Sequence, residues 1–167
     1  MTDTDLQELG LLPKVVIGLA IVLIAAGVLW HGVTMQVFHR FWHDLAERPD
    51  GPMRFRFILQ PLMAAVAAIR GGLKDARTGR PPYFWTIAGN PRERAGRLRE
   101  GLNATARIIL LGVIMDVIYQ FLVFKTFYPG ESLVIALVLA FLPYLLIRGP
   151  VTRIARWWGV GTSSVSR

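Results

Sequence analysis

Three potential metal ligands, His39, His43 and Glu47, recur at four-residue intervals in the amino-acid sequence. A helix would align them on one face, and two imidazoles with a carboxylate can hold zinc or non-haem iron. The first and third positions would lie about 12 Å apart along a helix axis, so one ion cannot reach all three. The set is therefore a weak metal site, and the favoured interpretation is a polar helix face against lipid headgroups. No cofactor is predicted.

Cysteine is absent from the 167 residues, and the three His fall between positions 31 and 43. Disulfides, thiolate metal sites, Cys nucleophiles and covalently attached haem are thereby excluded. The sequence also contains no phosphate-binding loop, dinucleotide fingerprint or nucleophile motif. We therefore predict that the protein is not an enzyme, with a metal-binding membrane enzyme using the 39–47 face as an alternative.

Asp116 is the acidic residue that most needs an explanation, because it lies twelve residues into the largely apolar run 104–124. A carboxylate near the middle of a bilayer costs at least about 2.5 kcal/mol, so such acids face other helices and carry a role. Arg107 lies on the opposite helix face and is not its partner. The other helix-interface residues predicted around Asp116 are Gly112, Tyr119, Gln120 and Tyr144. An ion or proton path through Asp116 is the alternative.

The elements that carry these residues are predicted to be membrane helices, since 53% of the residues are hydrophobic and the mean hydropathy is +0.44. Three runs are long enough to span a bilayer: 15–37, 104–124 and 132–147. A short segment, 1–14, precedes the first, and a turn, 125–131, joins the last two. The predicted fold is an all-α membrane protein with three transmembrane helices plus amphipathic interfacial helices.

A fourth apolar segment, 53–75, has an uncharged run too short to span. At 100° per residue its apolar side chains fall on one arc, and Arg56, Gln60 and Lys74 fall on another. This pattern predicts an amphipathic helix lying in the membrane interface, with a re-entrant or packed helix as the alternatives. Gly149 and Pro150 are expected to end the third span, and the tail 148–167 to hold a second short amphipathic helix.

Orientation follows from the net charge of +8. Segment 38–103 has 12 basic and 6 acidic residues, and segment 148–167 has 4 basic and no acidic residues. Because cytoplasmic loops collect Lys and Arg, both segments are predicted inside and the N-terminus outside, in a bacterial inner membrane. The predicted membrane-interface residues are Trp30, Trp42, Arg54, Arg56, Trp85, Arg153, Arg156, Trp157 and Trp158.

The first span carries small residues at seven-residue intervals, Gly18, Ala25 and Gly32, which allow another helix to approach closely. Three spans are few for a self-contained transporter. We therefore predict a small non-enzymatic protein that binds other membrane subunits, or copies of itself, as an accessory, assembly or scaffold subunit. Its other partner is a bilayer with anionic headgroups, and nucleic acid is not expected to bind.

Overall fold

The computed structural model of the protein describes residues 10–32, 39, 42–43 and 54–160. Five α-helices have defined bounds in this part of the chain: α1 Leu11–His31, α2 Arg56–Arg77, α3 Tyr83–Gly89, α4 Pro91–Tyr119 and α5 Pro129–Trp157. A π-helical turn over Gln120–Phe124 continues α4. Every regular element among the described residues is helical, which confirms the predicted all-α class.

Four of these helices are long and apolar enough to cross a membrane: Leu11–Trp30, Arg56–Arg77, Pro91–Val123 and Pro129–Trp157. The predicted count of three is therefore not confirmed, and the difference is α2. Its apolar arc points outward, with Ile58 72% and Leu62 58% exposed. Its buried residues follow at four-residue intervals: Arg56, Gln60, Ala64, Ala68 and Gly72. Arg56 and Gln60 of the polar arc of α2 thus meet protein rather than water, whereas Lys74 is exposed. A short uncharged run therefore does not limit the length of this helix.

The two ends of the helix bundle can be named by the acidic residue that is buried at each. At the Asp75 end, Asp75 of α2 pairs with Arg148 of α5. At the Asp116 end, Arg56 of α2 pairs with Asp116 of α4. Helices α2 and α5 therefore run parallel from the Asp116 end to the Asp75 end, and α4 runs in the opposite direction.

Helix α1 runs in the same direction as α4. A Cβ built on Gly10 would lie 3.4 Å from the side-chain oxygen of Asn103, and one built on Gly27 would lie 3.1 Å from the backbone nitrogen of Gly130. The start of α1 and the end of α5 are therefore both at the Asp75 end. Three crossings, as predicted, would instead have separated these two ends.

Helix α4 begins at Pro91, well before the predicted start of the second span at position 104. Its first turn is built from residues suited to that position, because the Asn90 side chain accepts a hydrogen bond from the backbone N–H of Arg92 at 3.2 Å. Pro91 occupies the first helical position, where its missing N–H costs nothing. The polar start of α4 and the apolar second span are consequently one continuous helix.

Helix α5 continues to Trp157, so Gly149 and Pro150 do not end it as predicted. Pro150 removes one helical hydrogen bond. The residues on either side are nevertheless held in place, because Arg148 and Thr152 are fully buried and the Thr152 hydroxyl donates to the Arg148 carbonyl at 2.8 Å. One lost bond is therefore not enough to stop the helix, and part of the predicted tail belongs to α5.

The centre of the bundle, between the two charged ends, is apolar and closely packed. Its fully buried residues come from α2, α4 and α5: Ala64, Ala68, Ala106, Ile109, Ala136 and Ala140. Small side chains let helix backbones approach one another. Near the Asp75 end, Gly72 also lets α2 and α5 come close together, since a Cβ there would lie 2.9 Å from the backbone oxygen of Arg148.

Candidate functional site

The Asp75 cluster, formed by Asp75, Arg97, Glu100 and Arg148, joins α2, α4 and α5. Arg148 binds the Asp75 carboxylate with two nitrogens, Nε at 2.8 Å and Nη2 at 3.0 Å. Arg97 Nη1 lies 3.0 Å from the same carboxylate, and Arg148 Nη2 lies 2.7 Å from Glu100 Oε1. Asp75 and Arg148 are fully buried, whereas the Glu100 side chain is 30% exposed. The cluster balances two positive with two negative charges and reaches the surface at Glu100.

Two tyrosines enclose the Arg148 guanidinium. The Tyr83 ring lies over it, 4.2 Å from Cζ to ring centroid, and the Tyr144 hydroxyl accepts a hydrogen bond from Nη1. The Tyr83 hydroxyl donates to the Arg97 carbonyl at 2.5 Å. Burial, and secondly the nearby Tyr144, raise the pKa of the Tyr83 phenol and so favour its protonated form, which donates this hydrogen bond. Gly101 makes room for it, because a Cβ there would lie 2.2 Å from the Tyr83 oxygen.

The Asp116 cluster, formed by Arg56, Asp116 and Gln120, lies at the other end of the bundle, where all three side chains are buried. Arg56 Nη2 donates to Asp116 Oδ1, and Gln120 Nε2 donates to Oδ2 at 2.7 Å. The Gln120 amide is also 3.0 Å from the Ser132 hydroxyl, which links α4 to α5. The Arg56 guanidinium lies 5.3 Å from the ring centroid of Tyr119. Asp116 is thus paired with a cation and with a neutral donor, and it lies toward one end of the bundle rather than near the middle, where the sequence predicted it.

The spacing of the two clusters matches the thickness of a membrane. Arg56 and Asp75 are nineteen residues apart on α2, which is about 28 Å at the rise of an α-helix, and the hydrocarbon core of a bilayer is about 30 Å thick. The clusters would therefore lie near the two faces of a bilayer, with the apolar centre of the bundle between them. The ion pairs join α2 to α4 at one end of the bundle and α2 to α5 at the other.

The predicted helix-interface residues on α4 lie together inside the bundle. Asp116, Tyr119 and Gln120 are buried, and at Gly112 a Cβ would lie 2.1 Å from Gln60 Nε2. Tyr144 is also buried but lies beside the Asp75 cluster, where its hydroxyl accepts a hydrogen bond from Arg148. The structure therefore brings Gln120 to Asp116 and separates Tyr144 from it.

The predicted small-residue stripe of α1 faces away from the bundle. Gly18 and Ala25 of α1, and Gly32 directly after it, are all exposed, and no described residue lies within 4 Å of a Cβ built on Gly18 or Gly32. Gly27, which the stripe does not include, instead packs against Gly130 of α5. Within the described part of the chain, the stripe is an outward surface.

Arg56, predicted at the membrane interface, is only 1% exposed, because Asp116 offers it a buried counter-charge. The remaining predicted interface residues are exposed or half-buried: Trp30, Trp42, Arg54, Trp85, Arg153, Arg156, Trp157 and Trp158. Trp30 lies at the Asp116 end, whereas Trp85 lies at the Asp75 end, with Arg153 Cζ 5.9 Å from its ring centroid. Exposed Trp residues therefore mark both ends of the bundle.

The weak metal set is only partly described. His39 and His43 are exposed helical residues, and Glu47 lies outside the described residues. Within residues 10–32, 39, 42–43 and 54–160, no three His, Asp or Glu side chains are grouped as metal ligands.

Asp75, Arg148 and Tyr83 are not among the functional residues that the sequence patterns predict. A partial signal for Asp75 exists, because the four-residue spacing of buried residues on α2 runs from Arg56 to Gly72, and Asp75 follows three residues later on the same side of the helix. No local sequence pattern indicates that Asp75 pairs with Arg148, because Arg148 follows 73 residues later.

The fold and these clusters define a class: an all-helical protein whose four apolar helices enclose buried ion pairs near both ends. Comparison with protein-family models, with characterised proteins and with solved structures finds no match.

Proposed function

We propose that this chain is a non-enzymatic, multi-pass protein of a bacterial inner membrane that binds another membrane-protein helix through the outer face of α1. The observation that carries the proposal is the exposed stripe of Gly18, Ala25 and Gly32. The partner helix belongs either to a second copy or to a different subunit, and the experiment below distinguishes them.

The proposed topology has four crossings with both termini in the cytoplasm. Thirteen of the 19 Lys and Arg residues lie in the segments that adjoin helix ends at the Asp75 end, 1–14, 70–103 and 148–167. Five lie in the segments that adjoin helix ends at the Asp116 end, 33–56 and 125–131. Because Lys and Arg collect in cytoplasmic loops, the Asp75 end is the inner one. This replaces the predicted external N-terminus.

The shape of α1 supports helix docking at its outer face. Inside the bundle, Gly27 approaches Gly130 closely because it has no side chain. A Cβ built on Gly27 would lie 3.1 Å from the backbone nitrogen of Gly130. Gly18 repeats this shape on the outer face of α1, and Gly32 follows directly after the last residue of the helix. No described residue lies within 4 Å of a Cβ built on either of them. Small residues at such positions are how membrane helices obtain close van der Waals contact, since lipid provides no hydrophobic drive between them.

Conduction through Asp116, the alternative, has less support from the geometry. Asp116 is paired with Arg56, and the bundle centre beyond it is filled by alanines and Ile109 that are at most 1% exposed. An ion path needs polar groups or water along its length. Paired charges and a closed centre are instead suited to a rigid scaffold.

Cross-linking tests the proposal, because the native chain has no Cys. We expect Ala25→Cys to form an oxidised homodimer if the partner is a second copy, or a cross-link to one subunit otherwise. Leu23→Cys, on the buried face, should form neither. Ala25→Trp should abolish the association, whereas Ile114→Trp, on the exposed face of α4, should not.

Two results would reject the proposal. One is a monomer that forms no cross-link from Ala25→Cys and is unchanged by Ala25→Trp. The other is ion or proton flux in liposomes that Asp116→Asn abolishes while association persists, which would favour the channel alternative.

A further inference from the structure

A groove runs along the outer surface of the bundle where α1, α4 and α5 meet near the Asp75 end. Its volume is about 460 Å³, within the range of small-molecule sites. Its walls are apolar and come from all three helices: Ile17, Leu98, Leu102, Leu137 and Phe141. A ligand in this groove would contact protein on more than one side, unlike a lipid that touches a single helix.

One end of the groove is basic. Arg94, on the first turns of α4, lines it, and its Nε donates to the Ile87 carbonyl at 2.8 Å. Its Nη2 also lies 3.5 Å from the Ala88 carbonyl, at the end of α3. These two contacts fix the direction of the guanidinium. Arg99, the residue after Leu98, lines the groove as well. It also lines a second, open groove with three further Arg residues and two Glu residues: Arg80, Arg92, Arg97, Glu93 and Glu100. The surface around this end of the groove therefore carries more positive than negative side chains.

Polarity changes along the groove in the direction of α4. Leu98 lies one helical turn beyond Arg94, and Leu102 one turn further, about 12 Å from Arg94 along the axis. Leu137 and Phe141 of α5 line the same apolar part. A cationic end followed by an apolar trough is complementary to an amphiphile with an anionic head and a hydrocarbon chain.

We infer that this groove binds one anionic phospholipid, with its phosphate at Arg94 and one acyl chain along Leu98, Leu102 and Leu137. The basic end is the Asp75 end, so the lipid belongs to the inner leaflet, which carries the anionic headgroups. The inference rests on the proposed four-crossing topology but not on partner binding at α1. A failure of helix docking would leave it intact.

Native mass spectrometry of the full chain in mild detergent tests the inference with phosphatidylglycerol and phosphatidylcholine as the probes. We expect one phosphatidylglycerol to be retained per chain, in preference to phosphatidylcholine. Arg94→Gln should weaken phosphatidylglycerol binding about fivefold, the effect of one cation at a membrane surface. Arg94→Lys should keep most of the affinity, and Arg70→Gln, an exposed Arg of α2, should change nothing.

A second variant addresses the acyl chain. Leu98→Trp should fill the trough and reduce retention of both lipids, while circular dichroism and gel filtration report whether each variant stays folded. Equal retention of the two lipids, or equal effects of Arg94→Gln and Arg70→Gln, would overturn the inference. Displacement of the lipid by soluble glycerol phosphate would do so too, since the groove would then select a free phosphate. Labelling of single Cys substitutions shows separately whether the four-crossing topology, on which the inference rests, is wrong.

Discussion

Arg148 donates hydrogen bonds to both carboxylate oxygens of Asp75, with Nε 2.8 Å from Oδ2 and Nη2 3.0 Å from Oδ1. The two residues are 73 positions apart in the sequence. Both side chains are fully buried. The pair fixes α2 against α5 at one end of the bundle, as Arg56 and Asp116 fix α2 against α4 at the other. Removing one partner of such a pair leaves an uncompensated charge inside the protein.

We therefore expect Asp75→Asn to lower the free energy of unfolding by about 3 kcal/mol, because Arg148 and Arg97 keep their charges without the central carboxylate. Denaturant titration in detergent measures the change. Glu93→Gln is the matched control, since Glu93 is exposed and bonded to Asn90, and it should shift stability by no more than about 0.5 kcal/mol. Equal effects of the two substitutions would mean that the cluster does not stabilise the bundle.

The Asp116 cluster predicts strong coupling between its two charges. Asp116→Leu and Arg56→Met should each lower the free energy of unfolding by about 3 kcal/mol, since each leaves the remaining charged residue buried without its counter-charge. The double variant should cost less than either single one, because two apolar side chains need no counter-charge. A double-mutant cycle in detergent checks this, and simple additivity would show that the two residues do not depend on each other.

Helix approach at Gly72 gives a third prediction. An added Cβ would lie 2.8 Å from Val151 Cγ1 and 2.9 Å from the Arg148 carbonyl, so Gly72→Ala must push α2 and α5 apart. We expect a loss of about 1 to 3 kcal/mol in thermal or denaturant unfolding, as for other overpacked sites. Gly96→Ala, where nothing lies within 4 Å, should instead gain up to about 1 kcal/mol through helix propensity. The idea fails if Gly72→Ala is as stable as Gly96→Ala.

Tyr83 predicts a dependence on alkaline pH. Tyr83→Phe removes the hydrogen bond to the Arg97 carbonyl and should cost about 1 kcal/mol at pH 7. Burial raises the pKa of Tyr83 above the ordinary value of about 10, so its contribution is complete below that pH and is lost as pH rises through the raised value. The stability difference between wild type and Tyr83→Phe should therefore shrink as pH increases above about 10. A difference that stays constant would argue against a buried, proton-donating phenol.

Topology can be checked with single Cys substitutions and a membrane-impermeant thiol reagent in intact cells, because the chain has no Cys of its own. Four crossings predict that Cys at Gly130 reacts and that Cys at Thr78 and Thr4 are both protected. Reaction of Cys at Thr4 together with protection of Cys at Thr78 would instead support three crossings. Lysed cells, in which all three positions should react, serve as the control.

Local patterns in the sequence predicted the all-α class and three of the four candidate membrane helices. These features depend on properties that each segment carries by itself: the length of an apolar run and the periodicity of its side chains. For α2, the periodicity at 100° per residue also separated Ile58 and Leu62, now exposed, from Arg56 and Gln60, now buried.

Only the tertiary structure determined which groups contact the polar arc of α2. An arc containing Arg56 is favourable against water, and equally favourable against protein that supplies Asp116 as a counter-charge. That carboxylate comes from a helix 60 residues away, and the partner of Asp75 from one 73 residues away. Periodicity describes one helix at a time, whereas pairing of buried charges is a property of several packed helices. For this reason the sequence could divide α2 into two faces but could not show that the charged face points into the bundle.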